Sequence, residues 1–129
     1  MRDFSLHERY RNKIMTADEL SSVLSIHYKT QRTVMCHGVF DVVHPGHIRH
    51  LLFAKSKADI LIVSLTSDRH INKGHYRPHI PEDLRAINLA VLEFVDFVVI
   101  DVNATPIENL ELIKPHLFAK GYEYSPNQK

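Results

Sequence analysis

A parallel-sheet α/β fold is predicted by three features of the sequence. Short β-branched or apolar runs recur at residues 33–36, 59–65, 97–100 and 117–119, and segments of helical period fill the intervals between them. The second and third runs are nearly continuous in apolar residues, as strands covered on both faces should be. Strands alternating with helices in this way form a parallel sheet with right-handed crossovers, and such sheets bind ligands beyond the carboxyl ends of their strands.

The elements follow in chain order. Residues 1–15 are polar, mixed in charge and without a sustained apolar period, and are expected to form an arm or linker ahead of a domain spanning 16–129. Thr16 and Glu19 have capping-box spacing, and Leu20, Val23, Leu24 and His27 follow at i, i+3, i+4 and i+7, so this helix packs one face on the body. After the first strand a helix is expected from Pro45, with Ile48, Leu51, Leu52 and Ala54 turned to the core. The helix after the second strand should start at Pro81, carry Glu82 and Asp83 in its positive first turn, and bury Leu84, Ile87, Val91 and Phe94 or Val95. The last helix has Thr105 as N-cap, Pro106 at its first position and Glu108 closing a box, and stops before Pro115.

Composition narrows the class of function. The chain has 129 residues, one domain's worth, with 16 Lys plus Arg against 15 Asp plus Glu, and 44% of its residues are apolar. That balance lacks the basic excess of a nucleic-acid binder, and no apolar run is long enough to span a bilayer. Neither nucleic acid nor membrane is an expected partner. The single cysteine, Cys36, excludes an internal disulfide, and the charged N-terminus carries no apolar leader, so the expected compartment is the cytoplasm.

The segment from Cys36 to His50 joins strand to helix and carries the chemistry. Gly38 lets the chain turn or lets a ligand approach the backbone. With His44 as N-cap and Pro45 as the first helical residue, the backbone N–H groups of Gly46 and His47 are expected to be unpaired donors at the positive end of a helix dipole. His44 and His47, three apart, share a face there and can both reach an anion. The alternative is that His44 only caps and His47 is solvated. A metal reading also exists, since His44, His47 and His50 share a spacing of three and His37 is close in sequence. Zinc needs three or four convergent ligands, however, and a positive helix start disfavours gathering another cation.

Gly38-Val-Phe-Asp41 followed by His44-Pro-Gly-His47 resembles the G-x-F-D-x-x-H-x-G-H motif of the cytidylyltransferase-like nucleotidyltransferases, six fixed residues in ten positions. Ser67-Asp68, Lys73-Gly74, Arg77-Pro78, Glu82-Asp83-Leu84-Arg85, Thr105-Pro106 and Lys120-Gly121 are similar, in the same order, to the adenylyltransferase domain of bacterial ADP-heptose synthases. The resemblance covers residues 16 to 124. It implies a Rossmann-like parallel sheet of the HxGH type with the N-terminal helix packed on it. It also implies transfer of AMP or CMP from a nucleoside triphosphate to a sugar or polyol phosphate, releasing pyrophosphate. An acceptor oxygen attacking the α-phosphorus in line needs no protein nucleophile, only positioning and charge neutralisation.

By that resemblance His44, His47 and Lys73 are the catalytic residues. Gly38, Val39, Phe40, Gly46, Lys120 and Gly121 bind the nucleotide, and Asp41, Asp68, Arg77 and Arg85 face the substrate phosphate. From the residues alone, Arg77 reads equally as part of a solvated basic loop, Arg85 as half of a surface ion pair, and Asp41 and Asp68 as turn residues. Mg²⁺ is the expected cofactor, held mainly by phosphate oxygens and water, with no protein metal site. Homodimerisation follows from the resemblance only.

Two departures from the family pattern stand out. Tyr122 and Glu123 replace the more usual Gly and Asp, and no Ile-Ser-Thr-Thr-like helix start follows before Lys129. The expectation is therefore threefold: a fragment of a longer protein, a domain completed by or fused to another, or a binding domain inactive alone.

Overall fold

The structure, a computed structural model, describes residues 6–71 and 80–119. Its strands are β1 (Thr33–Gly38), β2 (Ile60–Thr66), β3 (Phe97–Asp101) and β4 (Leu117–Ala119), all parallel, in the order β3-β2-β1-β4. The chain steps outward from β1 to β3 and then returns to the other side of β1 for β4. Its topological switch point is therefore the crevice between β1 and β4, where sheets of this kind bind ligands.

Period-two alternation divides the strands between two cores. Val34, Cys36, Leu61, Val63, Leu65 and Val98 pack with Leu51 and Ala54 of α3 (Pro45–Lys55) and Ala86, Leu89 and Ala90 of α4 (Glu82–Ala90). On the opposite face Met35, Ile60, Ile62, Phe97 and Val99 pack with Ala17 and Leu20 of α2 (Ala17–His27) and Ile113 of α5 (Ile107–Ile113). Covered on both sides, β2 is buried along nearly its whole length, as its continuous apolar run implies.

α2 starts as its sequence predicts. The Thr16 hydroxyl accepts from the Glu19 N–H (3.1 Å), and the Glu19 carboxylate accepts from the Thr16 N–H (2.9 Å).

Several expectations are corrected. The described part of residues 1–15 packs on the body: a short helix α1 (Leu6–Tyr10) leads to Lys13, whose ammonium caps the Ala90 and Leu92 carbonyls (3.0 and 3.3 Å) beyond the end of α4. Ile14 bridges Val98 and the Met15 N–H donates to the Val98 carbonyl (3.0 Å), which shields the outer edge of β3. Tyr10 and Ile14 also pack on the α3–α4 core and Met15 on the opposite one, but three such residues set up no apolar period in the sequence.

The inward faces of two helices also differ from expectation. In α3, Leu51 and Ala54 are buried while Leu52 turns out, since adjacent helical positions lie about 100° apart. In α4, Leu84 and Val91 are exposed, and Arg85, Ala86, Ile87, Leu89 and Ala90 are buried. The small Ala86 and Ala90 let the helix approach the sheet, and Arg85 is drawn inward by polar partners described below. Val95 is fully buried but belongs to the turn after α4. α5 begins at Ile107 with Pro106 as its cap and without the predicted box; the Ile107 N–H instead donates to the Thr105 hydroxyl (3.4 Å).

Candidate active site

The site is built from the elbow between β1 and α3. Gly38 ends β1 against the Phe40 ring: a Cβ placed there would lie 3.1 Å from Phe40 Cε2. A methyl group there would push the Phe40 ring by a few tenths of an ångström, so the position favours glycine. Phe40 takes a left-handed backbone (φ 52°), strained for a bulky residue by about 1–3 kcal/mol, and its ring is buried in the α3–α4 core. The ring also lies against His47, with centroids 5.4 Å apart.

His44 is the N-cap of α3 and Pro45 its first residue, as predicted. The expected unpaired amides are corrected. The His44 ring folds back so that Nδ1 accepts from the Gly46 N–H (3.0 Å), and the His47 Nδ1 accepts from the His44 N–H (3.2 Å), forming a capping box made of imidazoles. The physical consequence concerns tautomers. An Nδ1 that accepts carries no proton, so each neutral ring is the Nε2–H form. The elbow therefore presents two imidazole N–H donors, their rings side by side with centroids 4.0 Å apart and planes tilted by 38°.

Beneath the elbow, Arg85 is fully buried. Its Nε donates to the Ile80 carbonyl (2.9 Å), Nη1 to the Val39 and Thr66 carbonyls (2.8 Å each), and Nη2 to Asp68 Oδ1 (2.6 Å). The guanidinium thus ties together the elbow, the end of β2, the start of α4 and the segment before it. Asp68 completes the knot: its Oδ2 accepts from the Glu82 N–H (3.2 Å), while its own N–H donates to Glu82 Oε1 (2.8 Å). Asp41 is likewise buried and accepts from the Ile80 N–H (3.0 Å). Three of the four residues expected at a substrate phosphate, Asp41, Asp68 and Arg85, are thus engaged in the wall of the site, and Arg85 lies behind its surface rather than on it. Val39 enters through its carbonyl. Lys73, Arg77, Lys120 and Gly121 lie outside the described residues.

Cys36 is no nucleophile: burial pushes its thiol up to about 12, so it stays protonated in the core. The described residues contain no group of three or more His, Cys, Asp and Glu side chains arranged to hold a metal ion, and His44, His47 and His50 do not converge on one.

Sequence reasoning missed a second polar group. At the carboxyl ends of the strands, on the face of α2 and α5, His37 Nδ1 meets the Ser64 hydroxyl (2.8 Å) and His37 Nε2 meets the Thr66 hydroxyl (3.3 Å). The buried Asp101 stands beyond them on β3. Burial pulls the His37 imidazole below its ordinary 6.5, and the charge of Asp101 opposes that shift. The available signal was a single Ser inside one apolar strand run and an Asp closing another.

A family model for cytidylyltransferase-like proteins matches residues 35–125. Among similar proteins are the bifunctional protein HldE of Aliarcobacter butzleri, 40% identical over 93% of this chain and 26% of the relative, and that of Pelobacter propionicus, 37% identical over 93% and 25%. The chain spans about a quarter of the length of these curated relatives. Among solved structures, the lipopolysaccharide core biosynthesis protein from Thermoplasma volcanium GSS1 aligns with a TM-score of 0.62 at 28% identity, covering 68% of this chain and 72% of that one. No helix among the described residues is long and apolar enough to cross a membrane. With its imidazole elbow intact and the family model matched along most of its length, this chain belongs to the cytidylyltransferase-like family of nucleotidyltransferases.

Proposed function

We propose that this chain transfers AMP from ATP to a sugar phosphate such as heptose 1-phosphate, a step of nucleotide-sugar synthesis for lipopolysaccharide. The reading rests on one observation: two adjacent imidazoles whose Nδ1 atoms are committed to backbone N–H groups, so that both Nε2–H groups act as donors at a helix start. In the reaction an oxygen of the acceptor phosphate forms a bond to the α-phosphorus, the bond from that phosphorus to the α–β bridging oxygen breaks, and pyrophosphate leaves. His44 and His47 donate to the α-phosphate and to the departing bridge oxygen, where charge develops. Lys73 and Arg77 approach the phosphates on the strength of the motif alone, as do the Lys120 and Gly121 contacts to the nucleotide.

Mg²⁺ suits this site as an ion that arrives with the triphosphate. Asp68 is engaged by Arg85 and the Glu82 N–H, and Asp41 accepts from Ile80, so phosphate oxygens and water are its expected ligands. When bound, it neutralises charge on the triphosphate. The family resemblance to heptose enzymes favours ATP over CTP, and a cytoplasmic location fits such substrates.

A second reading is favoured by the quarter-length match to HldE: a nucleotide-binding or interaction domain of a larger protein, inactive alone. A third substrate assignment, CTP with glycerol 3-phosphate, uses the same elbow. Pyrophosphate release from ATP and CTP, measured with heptose 1-phosphate, hexose 1-phosphates and glycerol 3-phosphate, separates them. Turnover that falls about 10²–10³-fold in His47→Ala supports transfer. Calorimetric nucleotide binding without turnover on any acceptor overturns transfer by this chain and supports the second reading.

A further inference from the structure

We infer that His37 and Thr66 form a subsite that reads the hydroxyl groups of the acceptor sugar, with Ser64 and Asp101 positioning them from behind. The inference rests on the transfer reading above and adds to it the residues that choose the acceptor.

Strand register places all four side chains on one face. His37 pairs with Ser64 across β1 and β2, Thr66 lies two residues further along, and Asp101 pairs with Thr66 across β2 and β3. Below this tier the same face carries Met35, Ile60, Ile62, Phe97 and Val99, and the one polar residue among those described there, Thr33 at the start of β1, is bonded through its hydroxyl to His116. Burying polar side chains costs stability unless they are bonded, and apolar residues at these positions would extend the core without that cost. The change of chemistry occurs where parallel sheets bind their ligands.

The tier has a tight back and a loose front. Ser64 and Asp101 are fully buried, whereas His37 and Thr66 are partly exposed. At the back, the Ser64–His37 bond is 2.8 Å, and Asp101 Oδ1 accepts from the Asn103 N–H (2.8 Å) and side-chain amide (3.0 Å). At the front, His37 to Thr66 is 3.3 Å, and the Thr66 hydroxyl reaches the Gly38 carbonyl at 3.5 Å, the limit of a hydrogen bond. Bonds this long exchange readily for those of a ligand hydroxyl. A second sign of an unfilled role is Asp101 Oδ2, which is fully buried and has no hydrogen-bond partner among the described residues.

The chemistry selects hydroxyls over phosphate. The front groups are a hydroxyl and a neutral imidazole, both able to donate and to accept, and the charge behind them is an anion that repels phosphate. Location selects the acceptor over the nucleotide. The switch point between β1 and β4 is the nucleotide's place in this fold, and the tier lies on the other flank of β1, over β2 and β3.

Two measurements test the subsite. In the first, the His37 imidazole resonances are followed by NMR in the 129-residue chain with a non-hydrolysable ATP analogue present. Heptose 1-phosphate or a hexose 1-phosphate should shift them and inorganic phosphate should not; equal shifts by phosphate, or none by any of these, overturn the proposal. In the second, His37→Leu and Thr66→Val should each raise KM for the sugar phosphate about tenfold, the loss of one good hydrogen bond, with KM for ATP unchanged. Unchanged KM for the acceptor, or equal rises for both substrates, count against it, and Thr66→Val serves if His37→Leu does not fold. Absence of turnover on every acceptor defeats the transfer reading alone, because the NMR titration still decides the subsite.

Discussion

On the face covered by α2 and α5, the strands carry Met35, Ile62, Phe97 and Val99 along their length, then His37, Ser64, Thr66 and Asp101 at their carboxyl ends. The same contrast holds on the other face, where Leu61, Val63 and Val98 give way to the Arg85 knot beneath Val39 and Thr66. The middle of the sheet is held by area, through non-directional burial that tolerates changes conserving volume, and its amino-terminal end adds a few polar ties, Thr33 with His116 and Asp96 with Lys55 and the Leu61 N–H. The carboxyl end is held by directional bonds between groups far apart in the chain, each of which leaves an orphan when its partner is removed. The proposed chemistry sits at the end that stability alone would not have chosen.

The largest effect on stability is expected from Arg85→Ala. It strands the Val39, Thr66 and Ile80 carbonyls and releases Asp68, so urea unfolding should lose about 3–5 kcal/mol. Arg85→Lys should recover only part of this, since an ammonium cannot span a fork of acceptors. A loss under about 1 kcal/mol in Arg85→Ala would mean that the knot is decorative and that the contrast between the two ends is wrong.

Gly38→Ala comes next. The new methyl would meet the Phe40 ring at 3.1 Å, and Phe40 is already in a left-handed conformation with its ring against His47. Overpacking of this kind costs about 1–3 kcal/mol, and its route of relief runs through the His47 imidazole. Pyrophosphate release should therefore fall by more than the folded fraction falls. Activity that follows the folded fraction alone would detach Phe40 from the reaction.

Acid distinguishes the ends in another way. The His37 pKa is lowered in the folded chain, chiefly by burial, below the 6.5 of the unfolded one. Its stabilising contribution is therefore complete above about pH 6.5 and is lost as pH falls toward the folded value, because the unfolded chain takes up the proton first. Urea midpoints measured between pH 7.5 and about 5 should decline, and His37→Leu should flatten the decline. An unaltered slope in that variant would place the titration elsewhere.

These comparisons also explain what was legible. The elbow was readable because its signals are local: His44, Pro45, Gly46 and His47 cap one helix within four residues, and Gly38 and Phe40 stand next to it. The strands were readable because continuous apolar runs have few other uses. Arg85 was not, since its partners lie 5, 17, 19 and 46 residues away and three of them are carbonyls, which every residue has. The inward face of α4 was misread for the same reason, because a buried arginine looks like a polar position. Single residues such as Ser64 and Asp101 carry no period, and only register joins them into a tier.

The smallest effect belongs to the amino-terminal end of the sheet. Lys114 closes α5 in the left-handed conformation (φ 55°), with its N–H donating to the Leu110 carbonyl (2.8 Å), one turn before β4 begins. This is a helix stop that glycine usually supplies, and here a residue with a Cβ carries it. Lys114→Gly removes that steric conflict but gives the unfolded chain more freedom, so the net gain should be no more than about 0.5–1 kcal/mol in urea unfolding. Its activity should be unchanged, because the position is at the end of the sheet opposite the imidazoles. A gain of stability with a loss of pyrophosphate release would show that the two ends are coupled through β4, and that the division between packing and chemistry does not hold along the strands.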